Sequence, residues 1–251
     1  MAEATLITSN AVTETEIYRS ETPPETRTHC PVPHGKFVDQ VKAALGFHKW
    51  DINSSEYGLY PGKIGDVKYP DASMFVIMKI SKEGIQTADG GYELALGIRN
   101  SHDKRFAAKV AVGLVVMVCE NLDFYGEYVT GHKHTSNVNE NLLPRIFGMI
   151  SNIDGAHTDH AEQMELYRWR QISDTETHDI IVRCVDDKVF PWAYGEKVLK
   201  EFRNPRHEEF KDRNVWGFNN AVTEILKARN TRYLSDSTRK LHNLLGEVCL
   251  N

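Results

Sequence analysis

Three polar segments of the sequence contain residue types that perform acid–base chemistry or bind ligands. They are Arg99-Asn100-Ser101-His102-Asp103-Lys104, Cys119-Glu120-Asn121 and His132-Lys133-His134-Thr135. A histidine beside an aspartate can act as a general base held in one tautomer, so His102 and Asp103 are the candidate catalytic pair. Each segment lies at or just beyond the end of a predicted strand. The three could therefore converge on one edge of a sheet, as a site requires.

A further polar group lies inside a predicted helix of the C-terminal half. Asn219 and Asn220 occupy positions where asparagine is a mediocre helix former, which indicates a tertiary role. The candidate binding residues of the whole chain are Arg99, Asn100, Ser101, His102, Asp103, Asn121, His134 and Asn220.

The same segments allow two other interpretations. A catalytic metal could find enough ligand types among His102, Asp103, His132 and His134. The two histidines of the H-x-H pair, however, lie on the same face only if that segment is extended. Asn, Ser and Asp at a strand end also commonly close a turn, and Thr135 is suited to cap a helix. Structural turns and caps are the favoured interpretation, so no metal ligand is assigned.

Familiar catalytic and cofactor motifs are missing from the sequence. It contains no G-x-x-x-x-G-K-[ST], G-x-G-x-x-G, G-x-S-x-G or H-E-x-x-H pattern. We therefore expect no cofactor, and the missing motifs favour a binding protein over an enzyme. Its four cysteines are far apart, which is typical of buried or free thiols rather than a disulfide or zinc framework.

Composition and charge narrow the possible partners. The 251 residues carry a formal net charge of −5, which lacks the overall basic character of a duplex-DNA-binding protein. A local basic surface remains possible, with aromatic side chains nearby for base stacking. Its candidate cations are Arg99, Lys104, Arg105, Lys109 and Lys133, and the aromatic residues are Tyr92, Phe106, Phe124 and Tyr125.

The first half of the chain is predicted to contain a helix and a sheet. Residues 1–30 have too few apolar groups to offset the conformational entropy that is lost when a chain becomes ordered, which predicts a flexible tail or arm. Apolar spacing over 37–45 predicts a helix, and strands are expected between about 56 and 130. The run from Phe106 to Leu122 predicts one long central strand bent at Gly113, with a buried helix as the alternative. Residues 88–91 form a turn signal.

After Thr135 the apolar pattern becomes helical to the end of the chain. One helix is predicted from the polar start Ser136-Asn137, with an apolar stripe from Leu142 to Ile153, and others over 159–172, 175–187, 192–202, 215–228 and 235–248. A sheet followed by helices predicts an α+β class, with helices packed on a largely antiparallel sheet. We interpret residues 31–251 as a single domain, with helix and sheet over 31–135 and a helical part over 136–251.

Several segments resemble, in order, the blocks of a phage/plasmid-like protein family that is catalogued as a domain of unknown function. They are Val32-Pro33-His34, Leu96 to Lys104 (LGIRNSHDK), Val118 to Leu122 (VCENL) with Phe124 and Gly126-Glu127, Lys133-His134-Thr135, Phe218 to Glu224 (FNNAVTE), and Leu241-His242. The resemblance covers residues 31–248, although two asparagines follow Phe218 where the family has one. It implies occurrence on prophages, phages and plasmids and a role beside nucleic-acid metabolism or host defence. It implies no reaction.

These observations lead to three functional hypotheses. The first is an accessory protein of a mobile element that binds single-stranded nucleic acid during replication or recombination. The second is a non-catalytic module that binds a host or phage protein, such as an inhibitor of host defence. The third is a metal-dependent enzyme built on Asn100, His102, Asp103, Asn121 and His134. The sequence lacks a ~20-residue apolar span and a secretory signal at its start, so we expect the bacterial cytoplasm, no membrane partner, and either a monomer or an oligomer.

Overall fold

The computed structural model describes residues 10–83, 92–116, 121–227 and 234–250. By its internal contacts the chain divides into two compact units. The first unit is Met1–Gln86, Glu93–Gly113 and Tyr128–Asp154, and the second is Thr87–Tyr92, Leu114–Glu127 and Gly155–Asn251. Among the described residues, no helix has the length and apolar character needed to cross a membrane.

Six antiparallel strands form one sheet in which each strand lies beside the next in sequence. They are β1 (Ala11–Val12), β2 (Asp51–Ile64), β3 (Val67–Ser81), β4 (Tyr92–Ser101), β5 (Ala108–Val116) and β6 (Asn121–His132). The predicted α+β class, with a largely antiparallel sheet and a helical C-terminal half, is confirmed.

The helices of the described residues also follow chain order. They are α1 (Glu14–Arg19), α2 (His34–Phe47), α3 (Val138–Ile150), α4 (Ile153–Trp169), α5 (Asp174–Asp186), α6 (Gly195–Arg203), α7 (Val215–Leu226) and α8 (Leu234–Leu250). Helix α2 forms because its apolar residues recur every three or four positions, and Phe37, Val38, Val41, Ala44 and Leu45 are all buried. Helix α4 begins six residues before the predicted start at Asp159.

The start of the chain differs from the predicted flexible arm over residues 10–30. Helix α1 is capped by reciprocal bonds between Thr13 and Glu16, and Ile17 is fully buried. The Tyr18 hydroxyl donates to an Asp39 carboxylate oxygen at 2.6 Å. Composition did not predict that this segment is folded, because it is held to the rest of the unit by one buried apolar side chain and a few polar partners that are distant in sequence. Residues 1–9 lie outside the described residues.

The apolar run from Phe106 to Leu122 also differs from the prediction. Strand β5 ends at Val116 and β6 begins at Asn121, so the run contributes to two neighbouring strands rather than one. Side chains on both faces of β5 are buried, namely those of Val110, Ala111, Val112 and Val115. The apolar pattern therefore does not alternate, which explains why it did not mark the end of the strand. The predicted turn at 88–91 and residues 117–120 lie outside the described residues.

Candidate functional site

Five polar side chains of the first unit are buried together, and we call them the histidine cluster. His34, Asn100 and His102 are 0% exposed, His29 is 5% exposed and His134 is 6% exposed. Burying this many polar groups costs free energy unless each finds a partner. The partners therefore show what holds the cluster together.

Four chain segments position these side chains. His34 is the first residue of α2, directly after the N-cap Pro33. Asn100 and His102 are two apart at the end of β4, where side chains alternate between faces, so both lie on one face. The His102 amide extends the pairing with β3 by donating to the Ala72 carbonyl at 2.8 Å. His134 lies two residues beyond β6, and its carbonyl accepts from the Cys30 amide at 3.0 Å.

Hydrogen bonds to backbone carbonyls fix the proton positions on three of the rings. His34 Nε2 lies 2.9 Å from the Asp71 carbonyl oxygen and must donate to it, so His34 Nδ1 accepts from Asn100 Nδ2 at 2.8 Å. His102 Nε2 donates to the Val32 carbonyl at 2.9 Å, and Asn100 Nδ2 donates to the same carbonyl at 2.7 Å.

The fourth histidine adds a link to the preceding segment. His29 Nε2 donates to the His102 carbonyl at 3.0 Å, and the His29 ring meets the His134 ring edge-on at a centroid distance of 5.3 Å. The segment from His29 to His34 is therefore fastened to the end of β4 mainly through side chains.

Each of these histidines is held in its neutral form. Burial, followed by the nearby His102 ring, lowers the pKa of His34 to about 3. Burial and then His29 lower the pKa of His134 to about 4. Burial also lowers the pKa of His102 and of His29. The His34 and His102 rings stack in parallel at 3.9 Å, so a proton on either ring would place a charge against its neighbour.

Several polar atoms of the cluster have no hydrogen-bond partner among the described residues. They are Asn100 Oδ1, His102 Nδ1 and both ring nitrogens of His134. Such atoms are uncommon in protein interiors, where they mark a bound water, a ligand or a functional group. The cluster can thus offer lone pairs and a ring N–H to a small polar group.

The predicted His102–Asp103 catalytic pair does not form in the structure. The Asp103 carboxylate accepts from the Ser101 hydroxyl and from the Arg105 guanidinium, while His102 Nε2 is used by Val32. Burial alone would raise the pKa of Asp103, but the bonds from Arg105 and Ser101 outweigh it and lower the pKa. Asp103 therefore fixes the turn after β4, as the turn interpretation of this segment predicts.

Three exposed cations, each one or two residues from a histidine of the cluster, form a set that we call the cationic rim. Arg27 lies in a turn closed by backbone bonds between Thr26 and His29. Lys104 has a left-handed backbone, with φ of 64°, and its charge helps to lower the pKa of His29 after burial. Lys133 directly precedes His134. No carboxylate in the described part of the chain pairs with any of the three.

The remaining predicted residues are placed differently. Arg99 is half-buried on the other face of β4, with its guanidinium 5.2 Å from the centre of the Phe106 ring. Arg105 is exposed but is tied to Asp103 and donates to the Pro61 carbonyl at 2.8 Å. Lys109 is half-buried.

Like Arg99, Ser101 and Asp103, two further predicted binding residues contribute no described side chain to this cluster. Asn121 begins β6, but its side chain lies outside those described, as do the side chains of Tyr92, Phe124 and Tyr125. Asn220 belongs to the second unit, where it is 1% exposed in α7 and its Nδ2 donates to the Trp216 carbonyl at 2.9 Å.

The structure offers little for the predicted metal alternative. Within the side chains that it describes, no group of three His, Cys, Asp or Glu residues is arranged to hold a metal ion. Asn100 and His102 both donate to the Val32 carbonyl and contact the His34 ring, whereas the His134 ring meets the His29 ring edge-on.

A cleft of about 500 Å³ lies next to the cluster in the first unit. Its apolar walls are Val12, Leu59, Pro61 and Pro70, and its charged side chains are Glu16, Arg19 and Asp71. Asp71 connects the cleft to the cluster because its carbonyl accepts from His34. Arg105 holds the Pro61 carbonyl, which joins the cleft wall to the turn after β4.

Sequence reasoning found Asn100, His102 and His134 but missed His29, His34, Arg27 and Asp71. His34 carried a signal, since it belongs to the Val32-Pro33-His34 block and stands at the start of a predicted helix. The other three gave none: His29 bonds to a residue 73 positions away, Asp71 bonds to His34 and Glu21 at 37 and 50 positions, and Arg27 lies in a segment predicted to be flexible. Residues of three separate segments, Val32-Pro33-His34, Leu96 to Lys104 and Lys133-His134-Thr135, take part in this cluster.

Comparison with known proteins gave no match, whether with family models, with curated proteins or with solved structures.

Proposed function

We propose that the chain is a nucleic-acid-binding accessory protein of a phage or plasmid, acting in the bacterial cytoplasm and contacting single strands through the cationic rim. The observation that supports this most is the set of three exposed cations, Arg27, Lys104 and Lys133, without carboxylate partners among the described residues. Unpaired cations bind phosphates because counterions are released from the strand.

The size of the rim favours single strands over duplex DNA. Three cations can neutralise about three phosphates, whereas the formal net charge of −5 repels a long polyanion elsewhere. Short single strands can bend to meet a small patch. The resemblance to a phage/plasmid-like family adds the biological setting, in replication or recombination.

Fluorescence anisotropy of labelled single- and double-stranded oligonucleotides tests the proposal. With three phosphate contacts, affinity for single strands should fall about 20-fold when salt rises from about 50 to about 200 mM. The double variant K104Q/K133Q should bind more weakly and lose about two-thirds of that salt dependence.

Lys49 provides a matched control for this experiment. It is an exposed lysine of the same unit with nearly the same left-handed backbone, at φ of 61°, and it lies outside the rim. K49Q should leave binding unchanged. Absence of binding to any oligonucleotide, or equal losses in K49Q and K104Q/K133Q, would remove the proposal.

A second function, binding of a host or phage protein, has an observation of its own in the second unit. Trp169 is 81% exposed and Leu166 is 55% exposed, three positions apart on α4, and Trp192 is 67% exposed. Exposed aromatic side chains of this kind are enriched in interfaces. Pull-downs with the L166A/W169A variant beside wild type test this alternative, since a specific partner should be retained by wild type alone.

A further inference from the structure

One backbone carbonyl fastens the segment before α2 to the end of β4. We call this segment, residues 26–32, the strap. The Val32 carbonyl accepts from Asn100 Nδ2 at 2.7 Å and from His102 Nε2 at 2.9 Å. Among the bonds that the structure describes, only that from the Cys30 amide to the His134 carbonyl joins the backbone of the strap to the backbone of another segment. Side chains of the histidine cluster therefore hold most of the strap.

The Asn100 amide that holds Val32 also contacts a ring nitrogen that can take up a proton. His34 Nε2 donates to the Asp71 carbonyl, so His34 Nδ1 has a lone pair that accepts from Asn100 Nδ2 at 2.8 Å. A proton added to His34 must go to Nδ1, because the other ring nitrogen already carries one. Nδ1 then becomes a donor that faces a second donor, Asn100 Nδ2.

Neither orientation of the Asn100 amide accommodates that proton. As the amide stands, its Nδ2 faces the new N–H of His34. After a half-turn, Oδ1 accepts from His34 but also faces the Val32 carbonyl, since one Asn100 atom contacts both groups. Two carbonyl oxygens at hydrogen-bond distance repel each other. A proton on His34 can therefore be bonded only if the bond between Asn100 and Val32 is lost.

The second donor to Val32 is affected by the same proton. The His102 ring stacks on the His34 ring at a centroid distance of 3.9 Å, so a charge on His34 lies against it. The other titratable groups around the cluster and the start of α2 are Tyr18, His29, Asp71, Asp103, Lys104 and His134.

The charges among these groups do not reverse the effect of burial. Burial lowers the pKa of His102, and the carboxylates of Asp71 and Asp103 only partly offset it. At His29, the charge of Lys104 adds to the lowering of the pKa by burial. The closed strap therefore excludes protons from the rings that hold it.

We propose that the strap is an acid-sensitive switch: a proton on His34 breaks the Asn100–Val32 bond, and residues 26–32 open from the end of β4 while the sheet and α2 stay folded. Opening lets water reach both stacked rings and uncovers Cys30, which is 7% exposed when the strap is closed. The buried side chains of Pro31 and Val32 keep the strap closed at neutral pH. The proposal does not depend on nucleic-acid binding, because no cation of the rim takes part in these bonds.

Thiol labelling of Cys30 in the full chain measures the opening. Burial, followed by the His102 ring, lowers the pKa of His34 to about 3 in the closed strap, and water should restore it to near 6.5. The equilibrium constant for opening should therefore rise about 30-fold from about pH 7.5 to about pH 5. Dithiodipyridine reacts with thiols over this range, and peptide masses identify the labelled cysteine. Dividing each rate by that of the urea-unfolded chain at the same pH removes the pH dependence of the reagent and the thiol.

Two variants and a second cysteine locate the source of the rise. H34Q keeps an N–H for the Asp71 carbonyl but takes up no proton, so the rise should disappear. H48Q changes the histidine at the other end of α2 and should retain the rise. Cys184 is 0% exposed in α5 of the second unit and should stay protected at both pH values.

The urea dependence of labelling separates opening of the strap from unfolding of the whole unit. Opening of so short a segment exposes little surface, so Cys30 labelling at about pH 5 should hardly change in low urea. A rise at Cys30 with this weak urea dependence, absent from H34Q, supports the switch. Equal protection at both pH values, a rise that H34Q retains, or a urea dependence as steep as that of Trp50 fluorescence overturns it. The first and third of these results come from wild type alone, so the test does not require H34Q to fold.

Discussion

Acidification should destabilise the first unit, because its clustered histidines are neutral when folded. An unfolded histidine has a pKa near 6.5, whereas the pKa of His34 is lowered to about 3 and that of His134 to about 4. Below pH 6.5 the unfolded chain therefore binds more protons than the folded chain. Stability that is fully present above pH 6.5 is lost as the pH falls toward the folded values.

The size of this effect follows from the two pKa shifts. At about pH 5 each histidine has lost about 2 kcal/mol relative to about pH 7.5, so the pair loses about 4 kcal/mol. His102 and His29 shift in the same direction and add to the loss. Since whole domains are stable by only about 5–15 kcal/mol, the urea midpoint should fall steeply in this range.

Urea titration at the two pH values, followed by tryptophan fluorescence, measures the loss. Trp50 is the reporter in the first unit, where it is 3% exposed with the Lys82 ammonium 5.3 Å from its ring. H34Q, which keeps a donor for the Asp71 carbonyl, should be less stable at neutral pH but should lose about 2 kcal/mol less on acidification. H178Q changes an exposed histidine of the second unit and is the control. Equal midpoints at both pH values, or a full pH response in H34Q, would refute the reasoning.

Three substitutions test other parts of the first unit. I17A removes the fully buried side chain of α1 and should cost about 3 kcal/mol, seen as a lower urea midpoint and faster proteolysis near residue 20; an unchanged midpoint would mean that the segment is not docked. N100D replaces the donor to Val32 and His34 by an oxygen and should cost about 3 kcal/mol at neutral pH, whereas a variant as stable as wild type would contradict the network. G62A should weaken the turn after β4, because its methyl group would meet the Asp103 carboxylate and the Arg105 guanidinium; an unchanged thermal midpoint would show that the turn is not held against β2.

Much of the fold could be predicted because the spacing of apolar residues along the chain determines where most of the helices and strands form. Alternation over Tyr92 to Ile98 predicted β4, and three- or four-residue apolar spacing predicted α2, α3, α5 and α7. The end of β5 could not be predicted, since a strand buried on both faces shows no alternation to mark where it stops.

The candidate site was predictable only in part. Alternation along β4 predicted that Asn100 and His102 lie on one face. It did not predict the turn after Ser101, in which Ser101 and Arg105 bind the Asp103 carboxylate while His102 bonds to the Val32 carbonyl. His29 and His34 join the cluster through bonds that no local pattern signals, because their partners are 73 and 66 residues away. Of the cationic rim, Lys104 and Lys133 were among the cations expected at a basic surface, whereas Arg27 lay in a segment predicted to be flexible.

The fastening of residues 29–34 to β4 by side chains has a consequence for how the protein folds. Every bond in this fastening joins residues between 66 and 73 positions apart, so none can form until the end of β4 has been synthesised. Closing so long a loop is entropically slow compared with forming a helix turn. The segment should therefore dock more slowly than the local helices form, and the chain leaving the ribosome must expose His29 and His34 to water until the end of β4 has been synthesised.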